Sequence, residues 1–293
     1  SAASDVYKRQ AEVRAENFRQ DHRHGVEFHR LRQFERDGGE KQHDRDAVDE
    51  HRQKRRERHK ADEQRHRAVV YELGKRQAQP AEKARLAYHA AFTDHGKITS
   101  DRQCEYVRAI AFGLLDEAES QAAADTLNQM VLDNGCHLNT GFLSTPFLCK
   151  VLAEHGHTDT AYKLLLQDTA PSWLYEVKQG ATTVWETWTG IDTNGHPSES
   201  LNHYSYGAIC GWLFGGVCGI RLAGETLTIA PTPNPALGWA KAVYDSPVGR
   251  IESGWQYAGD AVTYTITVPC NLTAEVTLPD GRSLTLQPGT HIL

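Results

Sequence analysis

From Ser1 to about Arg85 the chain contains no Trp, Cys, Met, Ile or Thr. Arg, His, Gln, Asp and Glu crowd the segment instead, as in DRDAVDEHRQKRRERH from Asp44 to His59. A stretch so poor in apolar side chains cannot bury enough surface to offset the entropy of ordering its backbone. Phe18, Val26, Phe28, Leu31 and Phe34 form only a ragged stripe at helical spacing. Any substantial core therefore has to come from the residues that follow. Three readings of residues 1–85 stand side by side: a charged helical or disordered arm, a wrong-frame or wrong-strand translation joined to a genuine coding end, and a nucleic-acid-binding arm. The last is opposed by the acids mixed through the bases, which dilute any basic patch, and by a net charge of −6. The chain begins with Ser and its sole methionine is Met130, so it reads as a fragment.

No apolar run approaches the length of about 18 residues that spans a bilayer, and no charged n-region followed by an apolar h-region opens the chain. Cys104, Cys136, Cys149, Cys210, Cys218 and Cys270 show neither C-x-x-C nor metal-ligand spacing. They read as free, buried thiols of a cytoplasmic protein, and no cofactor is implied.

Around Ala81 the pattern turns helical. AEKARLAYHAAF places Ala84, Ala87, Tyr88 and Ala91 on one face, with a loop at Asp94-His95-Gly96. Ser100 is the expected N-cap of a helix through Tyr106, Ile110 and Leu114. A further helix from Glu117 to Leu132 should stop at Asn134-Gly135. Thr145 should cap a helix with Pro146 in its first turn and Gly156 at its end. Thr158 and Ser172 should open the next two, and Ser200 to Leu213 reads as a last helix. From Thr226 the period becomes two, in short segments separated by Gly, Pro, Asn and Asp, which predicts an antiparallel β-sandwich. Tyr244 and Trp255 are expected to pack in its core or against the barrel.

The chemistry concentrates in Gly180–Tyr206, GATTVWETWTGIDTNGHPSESLNHYSY. Glu186 stands between Trp185 and Trp188, with His203 and Tyr204 following. Indole faces beside a carboxylate suit a sugar subsite, and a carboxyl among aromatic rings has a pKa that burial can tune. The same pattern is compatible with core aromatics around a solvated glutamate.

TTVWETW followed by SLNHYSYGAICGWLF resembles the C-terminal half of the catalytic domain of bacterial α-L-rhamnosidases of glycoside hydrolase family 78. That resemblance, over roughly Leu86–Leu293, implies a fold that is mainly α and then all-β. Residues 86–222 would be part of an (α/α)6 barrel and residues 223–293 a C-terminal β-sandwich. It implies Glu186 as general base, with His203, Trp185 and Trp188 around a terminal α-L-rhamnosyl residue. Asp101, Gln103 and Tyr106 match a further family signature, D-x-Q-x-x-Y, although Arg102 departs from the family's usual residue. HLNTGFLSTP also resembles the family, with His137 and Phe142 as candidates to face the sugar or to pack. Inversion, the family's outcome, needs a second carboxyl about 6.5–9.5 Å from the base. The family's acid motif, R-D-E-x-x-G-W, does not occur in this sequence, whose nearest string is Arg36-Asp37-Gly38-Gly39-Glu40. The expectation is therefore a truncated, inactive rhamnosidase carrying the base. Its open apolar helix faces leave homo-oligomerisation open. A non-catalytic carbohydrate-binding or interaction module, and a fragment of another inverting (α/α)6 glycosidase, are the alternatives.

Overall fold

The structure, a computed structural model, describes residues 80–293 apart from 193 and 225, together with residue 53. The expectations for the charged segment fall outside the described residues, except that residues 80–85 are helical.

Residues 80–92 (α1) lead into a minimal hairpin, β1 (Thr93–Asp94) and β2 (Lys97–Ile98). The anticipated loop is its turn, with φ of 47° at His95 and 78° at Gly96, the twist that a two-residue hairpin prefers. Helix α2 (Gln103–Ala111) starts later than Ser100 suggests. Ser100 Oγ accepts the Arg102 amide at 3.2 Å before the helix begins, and no side chain caps α2. Helix α3 (Glu117–Asp133) opens on a reciprocal box that the sequence reading missed. Asp116 accepts the Glu119 amide at 2.8 Å and Glu119 accepts the Asp116 amide at 3.0 Å. Gly135, at φ 66°, ends it as expected.

Helix α4 (Thr145–Glu154) carries Pro146 in its first turn, and Gly156 takes φ 86° just beyond its end. Two capping expectations shift by one residue, because Ser144 precedes α4 and His157 precedes α5 (Thr158–Leu165). Thr145 instead turns its hydroxyl back onto the carbonyls of Thr140 and Gly141. Ser172 caps α6 (Trp173–Lys178) by accepting the Tyr175 amide at 3.1 Å.

The helix expected over Ser200–Leu213 does not form as one piece. A 3-10 turn (Ser205–Ala208), a single α-turn, α7 (Ile209–Trp212), and a π-turn (Leu213–Val217) follow one another. Gly207, Gly211, Gly215 and Gly216 supply the apolar-small pattern but weaken the helix. At Gly216 a Cβ would lie 2.5 Å from the Trp212 ring, so glycine lets that indole lie across the chain.

Strand β3 (Ile220–Ala223) begins before the expected change of period and pairs with β4 (Thr226–Ile229). Then come β5 (Trp239–Ser246), β6 (Gly249–Ala258), β7 (Ala261–Val268), β8 (Ala274–Thr277), β9 (Ser283–Leu286) and β10 (Gly289–Ile292). They form two four-stranded sheets, ordered β10-β7-β6-β5 and β3-β4-β8-β9. The pairing is antiparallel except between β4 and β8, which run parallel from Leu227 opposite Ala274. Strands β5–β7 build the other sheet before the chain returns to the β4 edge. A tight hairpin cannot join a parallel pair, and the passage through the other sheet is the crossover that such a pair requires. Trp255 is buried in this core as expected, whereas Tyr244 is 40% exposed on an edge strand and does not pack inside.

One core runs from the helices into the sheets, through Val107, Leu127, Leu148, Leu152 and Tyr162 to Trp212, Ile229, Ile251, Trp255 and Ile266. Each such side chain contributes about 1.5–3 kcal/mol by leaving water. The junction is also hydrogen-bonded. Tyr162 Oη donates to the Thr232 carbonyl at 2.6 Å, Trp255 Nε1 to Val217 at 2.7 Å and Ser253 Oγ to Cys218 at 2.6 Å. Gly219, at φ 74°, lies so close to Ala230 that a Cβ would stand 2.2 Å from its carbonyl carbon. Among the described residues no helix is long and apolar enough to cross a membrane.

Candidate active site

Between α6 and the 3-10 turn the chain makes a long loop whose two arms are laddered together. The His203 amide donates to the Val184 carbonyl at 2.8 Å and the Glu186 amide to Ser200 at 2.9 Å. Ser198 donates to Gly190 at 2.9 Å, and the Thr183 hydroxyl bonds the Leu201 carbonyl. Asp192 Oδ1 pins the tip by accepting the amides of Asn194 and His196, each at 2.8 Å. Those two bonds, His196 first, hold its carboxyl below the usual range. The ladder is what brings Glu186 and His203, far apart in sequence, onto adjoining arms.

Glu186 is half-buried, and its Oε2 accepts the Ser200 amide at 3.3 Å while its own amide returns the bond. His203 Nδ1 accepts the Ser205 amide at 3.3 Å. That bond requires an unprotonated Nδ1, so the neutral ring carries its proton on Nε2 as a donor.

From His203 runs a chain of rings. His203 stacks on Tyr204 (centroids 5.2 Å, 14° apart) and on Phe142 (4.8 Å, 23°). Phe142 meets Tyr206 at 5.2 Å, and Tyr206 stacks on Trp188 at 3.8 Å and 17°. Trp188 in turn lies edge-on to Trp173 at 5.5 Å, and Trp173 Nε1 donates to the Tyr206 carbonyl at 2.9 Å.

The two tryptophans that flank Glu186 in sequence separate in space. Trp188 joins the ring chain, whereas Trp185 is only 3% exposed and lies under Gly190, where a Cβ would stand 2.9 Å from its ring. Trp185, expected at the wall of a sugar pocket, is thus an interior residue in this structure. Of the other candidates, Phe142 joins the site, while His137 braces a neighbouring loop through Thr169 (2.8 Å) and the Asn134 carbonyl (3.2 Å). Gln103 fastens the same loop by accepting the Asn139 amide at 2.7 Å, and Tyr106 Oη donates to the Ser100 carbonyl at 3.0 Å. Asp101 is exposed.

Three residues of the neighbourhood escaped the sequence reading: Trp173, Tyr206 and Glu176. Glu176 is the most unusual of them, a carboxyl only 4% exposed on α6. Burial pushes it up to about 7 against the opposing pull of the Trp185 amide, which it accepts at 3.2 Å. The signal available was a lone acid inside the aromatic run WLYEV, ten residues ahead of Glu186.

Residues 71–217 match the bacterial α-L-rhamnosidase six-hairpin glycosidase domain, and residues 224–292 match the bacterial α-L-rhamnosidase C-terminal domain. The chain belongs to the bacterial α-L-rhamnosidase family. An α-L-rhamnosidase of Formosa agariphila is 37% identical over 229 residues, which are 73% of this chain and 25% of that protein. The crystal structure of the Streptomyces avermitilis α-L-rhamnosidase complexed with L-rhamnose superposes with a TM-score of 0.66 at 34% identity, over 71% of this chain and 23% of that one. The native α-L-rhamnosidase of Aspergillus terreus gives 0.69 at 28% identity, over 72% and 26%. The chain therefore spans about a quarter of the length of the relatives it matches. The expected architecture, part of a six-hairpin glycosidase domain followed by a β-domain, is the one observed.

Proposed function

We propose that this chain carries the general-base side of an inverting α-L-rhamnosidase site. The observation that supports the reading is the backbone ladder that joins the arm carrying Glu186 to the arm carrying His203, in a chain of this family. Glu186 takes a proton from water as that water attacks the anomeric carbon of a terminal α-L-rhamnosyl residue. His203 offers its Nε2 proton to a sugar hydroxyl and is held in that tautomer by Ser205. Trp188, backed by Tyr206, presents an apolar face suited to the C6 methyl of rhamnose. Trp185 acts from beneath, shaping the arm rather than touching the sugar.

Inversion also needs an acid to protonate the departing oxygen, and the family's acid motif is not in this sequence. The complete pocket therefore needs a further part of the catalytic domain, and the 293-residue chain alone does not turn over. Phe112 and Leu143 in turns beside helices and Val177 on α6, 57%, 70% and 62% exposed, mark apolar surface on which that part, or a second copy, would seat. The substrate is a rhamnose-containing glycoside, and neither nucleic acid nor membrane is a partner. All six thiols are free, Cys149 and Cys218 buried as expected but Cys210 and Cys270 exposed, and free thiols fit a cytoplasmic protein.

The test joins this chain to the upstream catalytic segment of a relative and measures turnover of an aryl α-L-rhamnoside. Glu186→Gln should lower kcat by about 10²–10⁴ while KM moves by less than about threefold. Unchanged kcat in the variant would remove Glu186 from the chemistry.

A further inference from the structure

The carboxyl of Glu176 has no place in the mechanism above, yet it is buried where the candidate base is anchored. Its Oε2 accepts the amide of Trp185, the residue immediately before Glu186. Its Oε1 has no hydrogen-bond partner among the described residues. A polar atom in that state is costly unless the surroundings hold it there for a reason. At 4% exposure, with its one hydrogen bond to the backbone beside the buried Trp185 ring, Glu176 does not reach a bound sugar. The titratable group that feels its charge is Tyr206 of the 3-10 turn, and burial and the Trp185 amide govern its own ionisation.

We infer that Glu176 is a positioning residue for the proposed base: by accepting the Trp185 amide from inside the fold it fixes the arm from which Glu186 projects. Without that anchor the arm keeps the bonds to Ser200 and His203 and the Trp188 contact with Trp173, but loses its hydrogen bond to α6. The Glu186 carboxyl then no longer has a fixed place relative to His203. An aliphatic residue at 176 would fill the space and remove the acceptor. Glutamine would keep the acceptor and the shape. The inference deepens the reading of Glu186 as the base, but its test contains no sugar and no turnover, so the two can fail separately.

The experiment is residue-resolved amide exchange on the 293-residue chain, with Glu176→Leu and Glu176→Gln beside the parent. Two amides report. Trp185 reads the anchor, and Ser200, which donates to the Glu186 carboxylate, reads the base itself. Glu176→Leu should speed exchange at both by tenfold or more, with the buried helix α5 unchanged at Leu164. Glu176→Gln should restore both to within about threefold of the parent. The inference is overturned if Glu176→Leu leaves Trp185 and Ser200 protected, or if Glu176→Gln exposes them as fully as leucine does. Should leucine unfold the chain, glutamine decides alone: retained protection at both amides supports the anchor, and loss at either sinks it. Failure of Glu186 in turnover, with these protections intact, would cost the base assignment and leave the anchor standing.

Discussion

A buried carboxyl whose proton affinity rises on folding makes stability depend on pH, and Glu176 gives that dependence a definite sign. Its value goes from an ordinary 4.5 to about 7 because burial disfavours the charged form. The unfolded chain loses this proton first as pH rises. Stability is therefore complete below pH 4.5, declines between 4.5 and about 7, and then levels off. At about 1.4 kcal/mol for each pH unit across that window of about 2.5 units, the loss is about 3.5 kcal/mol, a sizeable part of a domain's total. The carboxylates held low, Asp192 by the His196 and Asn194 amides and Glu252 by Lys241 and Arg250, act the other way. Their contribution is present above their unfolded values and is lost in acid, so it falls in a different window. Glu176→Gln removes the Glu176 dependence and leaves theirs. Urea unfolding of both proteins at pH 5, 6, 7 and 8 isolates the effect, because only the difference between them matters. With a slope of about 2–3 kcal/mol per molar urea, the parent midpoint should drop by about 1 M relative to the glutamine variant between pH 5 and 8. A difference that stays constant across that range refutes the argument, since Glu176 would then titrate alike in folded and unfolded chains.

Other outcomes follow from the same geometry. Tyr162→Phe removes the 2.6 Å bond to the Thr232 carbonyl without opening a cavity, and should cost about 1–3 kcal/mol in denaturant unfolding. Gly219→Ala meets both the positive φ and the Ala230 carbonyl carbon at 2.2 Å, so a drop of several degrees in Tm is expected, with the β-sandwich separating from the helices first in hydrogen exchange. Asp116→Ala breaks the capping box of α3 and should cost about 1 kcal/mol, read as a lower urea midpoint with an unchanged slope.

What the sequence disclosed was local, and what it withheld was not. Gly135 and Gly156 end helices where expected, because a left-handed terminal residue is a property of a few consecutive residues. Thr145 and Thr158 are misplaced as caps by one residue: Ser144 offers the same hydroxyl chemistry as Thr145, while His157, which residue type does not mark as a cap, stands where Thr158 is expected. The run from Ser200 to Leu213 has a helix's spacing of apolar and small residues, but its glycines let the chain break into 3-10, α and π turns around Trp212. Strand β3 follows directly on the glycine-rich turns of the helical part and lies before the expected change of period, and the parallel pairing of β4 with β8 depends on what β5–β7 do in between. The motif around Glu186 drew attention to the right loop. Nothing in it foretold that Trp185 turns inward while Trp188 stacks on Tyr206, because the space for Trp185 is made by Gly190 and its amide is met by Glu176, on another element. Glu176 itself looks in sequence like an ordinary acid on a short helix, and only burial makes it unusual.

The central claim is that Glu186 activates water rather than attacking the sugar itself. The most direct measurement is ¹H NMR of the first sugar released from an aryl α-L-rhamnoside by this chain joined to an upstream catalytic segment, recorded before mutarotation. A general base at Glu186 predicts β-L-rhamnose as the first product. First appearance of α-L-rhamnose would mean a covalent intermediate, and would contradict the account.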